Sequence, residues 1–498
     1  MNALIATRTR RLSWALLSLV MAFLFVLFLI WLGARNGGPL PARGQLMIRL
    51  FVIPPMLAIV VLAFLTSACP SVPADTAKFA AEPPTAAPPR PFRAQVVGLQ
   101  WLNPLQRLDY STEWQLLWTL GLVKANKNDN WVRDMPERYS TVQVVAKIAR
   151  GPFGPKSTGD YHRQYIERLM TVFRDNYFAS PDYFYNAHPE HPGRWRELAG
   201  IHVEYALPEG MLDPVAAAEL TAERITDVFD VVDTDVPGLR SRAKPAEVHV
   251  TTGDANAGFA SLSAALDYLQ AHPAETVWAM SWDAPRLREE AEMNENLVVL
   301  FLAGPDYDTA REPLAWIGYP ATRRIGDFDV RKGQPSRAVQ AWKATVEAAA
   351  RHADKQSSDI GYVIHDRGNA ACTRAASSPS SRIGSFMEAL GSELPEFDVM
   401  KQSFDTPALL GEMGAGTALT NVALAISYAN HLGKNVLVAG TTDADEPTAV
   451  MVVPPDAVRP IDPSRDWFHA LWSRHIYLPW WGLRHDMPLQ SRIQGYSD

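Results

Sequence analysis

The sequence TALTNVALAISYANHL, residues 417–432, is followed by two apolar runs, NVLVAG at residues 435–440 and TAVMVV at residues 448–453. The first stretch is rich in Ala and Leu and is long enough for a helix. The two runs after it are short, apolar and bounded by Gly, Asp and Pro, as buried strands are. This order predicts one buried helix followed by two buried strands.

The same order occurs earlier in the chain. Residues 259–271, FASLSAALDYLQA, form a second Ala- and Leu-rich stretch, and two apolar runs follow it at residues 276–282 and 296–303. Further segments read as strands at 95–99, 247–252, 314–319 and 360–365, and as a helix at 336–352. Apolar strands that alternate with helices are typical of largely parallel sheets covered on both faces. We therefore predict an α/β protein made of duplicated units with mostly parallel buried sheets.

The predicted boundaries divide the 498 residues into five parts. They are a two-span membrane anchor (1–69), a Pro/Ala-rich linker (70–91), a first α/β unit (92–305) with an insertion at about 150–245, a second α/β unit (306–455) and an aromatic-rich C-terminal tail (456–498). The linker holds seven Pro and six Ala, a composition typical of a semi-rigid extended tether.

Two stretches near the N-terminus are long enough to cross a membrane. Between Arg11 and Arg35 lie 23 residues without a charge, and between Arg49 and Asp75 lie 25 more. A helix needs about 20 apolar residues to span a bilayer. We therefore predict two N-terminal transmembrane helices, of which Pro54 and Pro55 would kink the second.

Charge and cysteine content exclude several classes of function. Beyond residue 74 the chain has 41 basic and 54 acidic residues, which disfavours nucleic acid as a partner. The only cysteines, Cys69 and Cys372, rule out a disulfide framework and a Cys-rich metal site. His188 and His191 have ligand-like spacing but lie among prolines, so we interpret them as part of a surface loop. We predict no metal ligands and no cofactor.

Four landmarks in the body resemble β-ketoacyl synthases, which have a thiolase-like fold. They are VVGL followed by NPL (residues 96–105), NAGFAS (256–261), DIGYVIHD (359–366) and GEMGAG (411–416). In that family the second landmark carries the nucleophile, the third ends in the first active-site His, and the fourth carries the second His. The resemblance implies a thiolase-like fold for each unit.

The same landmarks depart from the family where its chemistry takes place. Condensing enzymes need a Cys thiolate at the start of the central helix, where this chain has Gly258 or Phe259. The second His is matched by Glu412, which cannot donate a hydrogen bond to a developing oxyanion as an imidazole does. Only His365 remains. We therefore predict a degenerate site at His365 and Glu412, with no catalytic residue.

The chain as a whole resembles the family of type VI secretion lipase adaptors. The strings that carry this resemblance are GLQWLNPL (98–105), EWQLLWTLGL (113–122) and YSTVQ (139–143). The resemblance implies a non-catalytic protein of a Gram-negative bacterium, which binds a phospholipase effector and promotes its loading onto the secretion spike protein. It implies no particular contact residue.

Two other functions stay open at this point. One is an acyl-transfer or acyl-binding enzyme of lipid metabolism that uses His365, and the other is a membrane-anchored structural protein of the envelope. The C-terminal tail interleaves aromatic residues with Arg and His, as protein interfaces do, and offers Trp472, Trp480 and Trp481 as partner-binding residues. The same tail could instead wrap over the body and bury its aromatic side chains there.

The two predicted spans give a testable topology. Three Arg precede the first span and three more lie between the spans, so the positive charges are nearly balanced, and it is the two unpaired cysteines that favour the cytoplasm. An even number of spans puts both chain ends on one side of the membrane. We expect the body to lie in the cytoplasm, attached to the inner membrane. Alkaline phosphatase fused after residue 92 should therefore be inactive, and an active fusion would place the body outside the cytoplasm.

Overall fold

A computed structural model describes residues 91–102, 117, 122, 157–172, 201–228, 246–284, 296–309, 313–329, 332–366, 379–410 and 413–458. The chain divides into two units, Met1–Ala87 and Pro88–Asp498, and every described residue lies in the second. Within the described ranges, no helix has the length and apolar character needed to cross a bilayer. The two predicted spans fall outside these ranges.

The described strands are β1 (Ala94–Leu102), β2 (His202–Pro208), β3 (Glu247–Gly253), β4 (Thr276–Asp283), β5 (Asn296–Ala303), β6 (Ala315–Ile317), β7 (Ala321–Thr322), β8 (Ile360–Asp366), β9 (Ser403–Asp405), β10 (Asn435–Gly440) and β11 (Thr448–Val453). The described helices are α1 (Thr158–Val172), α2 (Pro214–Val228), α3 (Ala257–Ala271), α4 (Arg337–His352), α5 (Pro379–Glu393), α6 (Val399–Gln402), α7 (Thr406–Leu410) and α8 (Thr417–Leu432).

The strands form one sheet in the order β3-β2-β4-β5-β1-β6-β11-β10-β8-β9, and β7 pairs with β11 beside this path. The order in the first half, β3-β2-β4-β5-β1, is repeated in the second as β9-β8-β10-β11-β6. The two halves meet where β1 pairs antiparallel with β6, with Val96 opposite Ala315. The repeated order confirms the predicted duplication of a thiolase-like α/β unit.

The sheet is mixed, so the prediction of mostly parallel strands was wrong. Four pairs are parallel, namely β2 with β3, β2 with β4, β8 with β10, and β8 with β9. The other pairs are antiparallel, including β4 with β5 and β10 with β11, which follow each other in sequence. Burial on both faces makes a strand apolar throughout, whichever way its neighbour runs, and the apolar pattern therefore does not reveal direction.

Sequence analysis did not identify strand β2, which lies in the segment interpreted as an insertion at about 150–245. In the structure β2 lies between β3 and β4 and is paired with both. It occupies the place that β8 has in the second half. His202 and Glu204 interrupt its apolar pattern, which is why the segment did not read as a buried strand.

Helices cover both faces of the sheet. On one face, α3 and α8 share a core cluster with the strands of both halves. On the other face, α1 and α2 pack on the first half, and α4 and α5 pack on the second. Strands in the middle are buried throughout, whereas Val250 on the edge strand β3 is only half-buried. The predicted burial holds for Val96, Val363 and Val436.

Helices α3 and α8, which are the two Ala-rich stretches, are in contact. One point of contact is Gly258, in the first turn of α3. A Cβ placed on Gly258 would lie 3.0 Å from Ala418 Cβ and 3.1 Å from the backbone nitrogen of Leu419. A backbone atom cannot move aside as the end of a flexible side chain can, so this spacing depends on glycine.

We expect Gly258→Val to lower the free energy of unfolding by about 1–3 kcal/mol, because it forces α3 away from α8. Gly391→Ala is a matched control, since Gly391 lies in α5 with open space around it. That change should stabilise the fold by up to about 1 kcal/mol. Urea unfolding of both variants measures the difference, and equal effects would show that α3 and α8 are not tightly packed.

Candidate functional site

The predicted degenerate site lies where β8 and β10 end beside the start of α3. His365 is the penultimate residue of β8, in register with Ala439 of β10 and Asp405 of β9. It is 4% exposed, and its ring lies edge-on to Phe386 of α5 with ring centroids 6.3 Å apart. The imidazole is therefore a buried group packed against the layer formed by α4 and α5.

Asp366, the last residue of β8, is tied to the segment after β10. Its carboxylate accepts hydrogen bonds from the backbone N–H of Thr441 and from the hydroxyl of Thr442, the latter at 2.8 Å, and the hydroxyl of Thr441 donates to its backbone carbonyl. Burial raises the pKa of Asp366 to about 7, against the opposing effect of the Thr441 and Thr442 hydrogen bonds. At neutral pH this carboxyl is close to half-protonated.

A buried aromatic side chain lies at the start of α3, the position at which the resemblance to β-ketoacyl synthases would put a nucleophile. Phe259 is 3% exposed and lies against Gly440 at the end of β10, together with Asn256. A Cβ on Gly440 would clash with both side chains. The nearest hydroxyl in the helix, that of Ser261, donates to the carbonyl of Gly258 at 3.1 Å. At the position where a condensing enzyme has its thiolate, this chain therefore has packed side chains.

The turn that precedes α8 is anchored to the first half of the sheet. The backbone N–H of Ala415 donates to Asp283 Oδ2 at 2.7 Å, and Asp283 Oδ1 accepts from the N–H of Ala284. Asn296, opposite Asp283 in the β4–β5 pair, donates from Nδ2 to the hydroxyl of Thr420 at 2.7 Å. Sequence analysis missed Asp283 and Asn296, although polar residues at the ends of two apolar strands were a visible signal.

The other residues predicted for this site and for partner binding lie outside the described ranges. Glu412 directly precedes the described segment that begins at Met413, so its pairing with His365 stays a prediction. Trp472, Trp480 and Trp481 lie beyond residue 458, the last described residue. Their role in partner binding likewise stays a prediction.

A second group of ionisable residues lies at the other end of the sheet. Ligand atoms of His202, Glu247 and His249 all lie within 4.8 Å of one another. A hydrogen bond from His249 holds the pKa of Glu247 below its usual value. The sequence-based prediction named no metal ligand, because His202 and His249 belong to different strands and 46 intervening residues separate them in the chain. These side chains could hold a cation together.

Comparison with known proteins gives one family match. Residues 314–454 match the family described as "Type VI lipase adapter protein Tla3, C-terminal". The matched residues run from β6 to β11, which is the second half of the sheet. The resemblance to lipase adaptors found in the sequence is confirmed for this part of the chain. No curated protein matches the chain.

Several solved structures of condensing enzymes are similar to this chain. One is the ketosynthase domain OzmH KS8 of Streptomyces albus JA3453, with 13% identity and a TM-score of 0.43, covering 75% of this chain and 99% of that one. Another is 3-oxoacyl-(acyl carrier protein) synthase III, FabH, from Pseudomonas aeruginosa PAO1, with 13% identity and a TM-score of 0.40. That match covers 74% of this chain and 99% of the FabH chain.

The raised pKa of Asp366 predicts a pH-dependent stability. The folded state binds this proton more tightly than the unfolded chain, so the stabilisation is complete below about pH 4 and is lost as the pH rises to about 7. The shift corresponds to a loss on the order of 4 kcal/mol across that window. Asp366→Asn, which mimics the protonated acid, should remove this part of the pH dependence.

Urea unfolding at a series of pH values measures this effect. Asp456→Asn is the control, since Asp456 is exposed after β11. Its stability curve should follow that of the unmodified protein. A curve for Asp366→Asn that keeps the same slope between pH 4 and 7 would show that Asp366 titrates normally.

Proposed function

We propose that this protein is a non-catalytic adaptor that binds a phospholipase effector and promotes its loading onto the type VI secretion spike protein. The observation that carries the proposal is the match of residues 314–454 to the lipase adapter family. An adaptor needs a rigid body with a large surface and needs no reactive group. A fold that is common among enzymes can serve this purpose, because function depends on particular sites and not on the fold.

The geometry at the start of α3, where β-ketoacyl synthases carry their nucleophile, supports the non-catalytic part of the proposal. Phe259 is buried at the start of α3, and His365 is buried against Phe386. The chain has no cysteine between Cys69 and Cys372, so a thiolate nucleophile cannot come from the α3 landmark. Acyl transfer on this fold would need a nucleophile at that place.

The adaptor would work in the producing cell before secretion. In this proposal the N-terminal spans hold it at the inner membrane of a Gram-negative bacterium, and the body faces the cytoplasm. The tail that holds Trp472, Trp480 and Trp481 would then be free to take part in partner binding, because aromatic residues interleaved with Arg anchor many interfaces.

The test combines a binding assay with an activity assay on the same protein. The full-length chain, extracted in detergent, is mixed with a phospholipase effector from the same bacterium, and complex formation is followed by size-exclusion chromatography. We expect a stable complex with the effector, and we expect His365→Ala to form the same complex. That variant should lose roughly 1–3 kcal/mol of stability, since it removes a buried polar side chain.

The acyl-transfer alternative makes the opposite prediction. The same preparation is incubated with acyl-CoA and acyl-carrier substrates, and the products and any acylated protein are identified by mass spectrometry. Turnover that disappears in His365→Ala would establish an enzyme and overturn the adaptor proposal. Absence of a complex with any phospholipase effector of the same bacterium would also overturn it.

A further inference from the structure

Four ionisable residues lie side by side at the start of two neighbouring strands. His202 and Glu204 are two residues apart on β2, and Glu247 and His249 are two residues apart on β3. The parallel register puts His202 opposite Glu247 and Glu204 opposite His249. Because side chains alternate between the faces of a strand, all four point to the same face, with each His beside a Glu.

His202 is held in one orientation. Its Nε2 lies 2.8 Å from Glu204 Oε1, and its ring stacks on that of Tyr268 from α3 with centroids 3.6 Å apart and planes 11° apart. The hydroxyl of Tyr268 in turn donates to the carboxylate of Glu275. With Nε2–H donating to Glu204, the lone pair of Nδ1 is left to face β3.

The Nδ1 atom of His202 has no hydrogen-bond partner among the described residues, although it is buried. The side chain of His202 is only 6% exposed, and the Glu247 carboxylate oxygen that faces Nδ1, Oε2, lies 3.6 Å away, which is too far for a hydrogen bond. A buried acceptor of this kind costs free energy unless something binds to it. It therefore points to a ligand between the two strands.

Glu247 and His249 supply the other side of this position. Glu247 Oε1 lies 3.0 Å from His249 Nε2, and the two side chains are 66% and 52% exposed. Metal–ligand bonds of about 2.0–2.2 Å place neighbouring ligand atoms roughly 3–4 Å apart. The distances from Glu247 to both His rings already lie in that range, and the exposure of Glu247 and His249 leaves room for solvent ligands.

We propose that His202 Nδ1, Glu247 and His249 Nε2 bind one divalent transition-metal ion, with Glu204 orienting His202 from behind. Imidazole nitrogens with one carboxylate suit Zn²⁺, Co²⁺ or Ni²⁺, whereas Ca²⁺ and Mg²⁺ prefer oxygen ligands. A carboxylate that accepts the second ring N–H of a metal-bound His is the usual outer partner in such sites. The ion would join the edge strand β3 to β2.

The competing interpretation is a metal-free ion pair, in which a protonated His202 lies between Glu204 and Glu247. The two interpretations differ in one measurable property, the binding of metal. They also differ in the role of His249. In the metal site His249 is a ligand, whereas in the ion pair it makes only an exposed contact. This proposal is independent of the adaptor function.

The experiment uses the full-length chain, stripped of metal with a chelator and dialysed. Zn²⁺ binding is measured by titration calorimetry, and Co²⁺ binding is followed by its visible absorption bands. We expect one high-affinity Zn²⁺ per chain and a Co²⁺ spectrum typical of a site with nitrogen and oxygen ligands. His249→Ala and Glu247→Gln should each weaken binding at least about tenfold, as loss of a metal-ligand contact does.

Two matched controls keep the test specific. His272→Ala removes an exposed His that directly follows α3 and whose Nδ1 lies 3.0 Å from the carbonyl of Tyr268, and Glu223→Gln removes an exposed charge on α2. Both should leave metal affinity unchanged. Circular dichroism checks that the variants are folded, which we expect because Glu247 and His249 are largely exposed.

The outcomes separate the two interpretations. Saturable binding that is lost in His249→Ala and kept in His272→Ala supports the metal site. Absence of saturable Zn²⁺ binding to the unmodified chain would overturn the proposal in favour of the ion pair. Binding that is equally strong in His249→Ala would show that the ion binds adventitiously elsewhere, and would overturn it too.

Discussion

The contact between α3 and α8 is the constraint on which the rest of the body depends. The two helices cover one face of the sheet, and they can approach only because Gly258 has no side chain. The turn before α8 is then fixed to the first half through Asp283 and the N–H of Ala415, and α8 itself through Asn296 and Thr420. Helices α3 and α8 therefore each make contacts with both halves, and each would lose part of its packing if the other half were absent.

The start of α3, where β-ketoacyl synthases carry their nucleophile, is occupied by packed side chains in this chain. The packing of α3 against α8 and against Gly440 needs small or apolar residues at the start of α3. Gly258 and Phe259 meet that need. Asp366 and its threonine partners join β8 to the segment after β10 through hydrogen bonds. A scaffold held in this way can carry different functions, because function depends on the sites on its surface and not on the fold.

The sequence predicted the parts of this structure that depend on local composition. The helices at 257–271 and 417–432 and the strands that follow them could be identified because they are continuous apolar runs. Strand direction could not, since it depends on connections and not on residue type. Strand β2 was hidden by His202 and Glu204, and the partners of Asp366 lie about 75 residues further along the chain. Polar contacts between distant segments leave no local pattern, so the ionisable groups of β2 and β3 became visible only in three dimensions.

The position of β1 in the middle of the sheet has a consequence for how the chain is made. Its two neighbours, β5 and β6, are residues 296–303 and 315–317, so β1, the first of the described strands to be synthesised, cannot pair with either until residue 296 and the residues after it have been made. Contacts this distant in sequence slow folding and leave apolar strands exposed meanwhile. During synthesis, residues 94–102 therefore have at least one of their two pairing edges open until residue 317 has emerged.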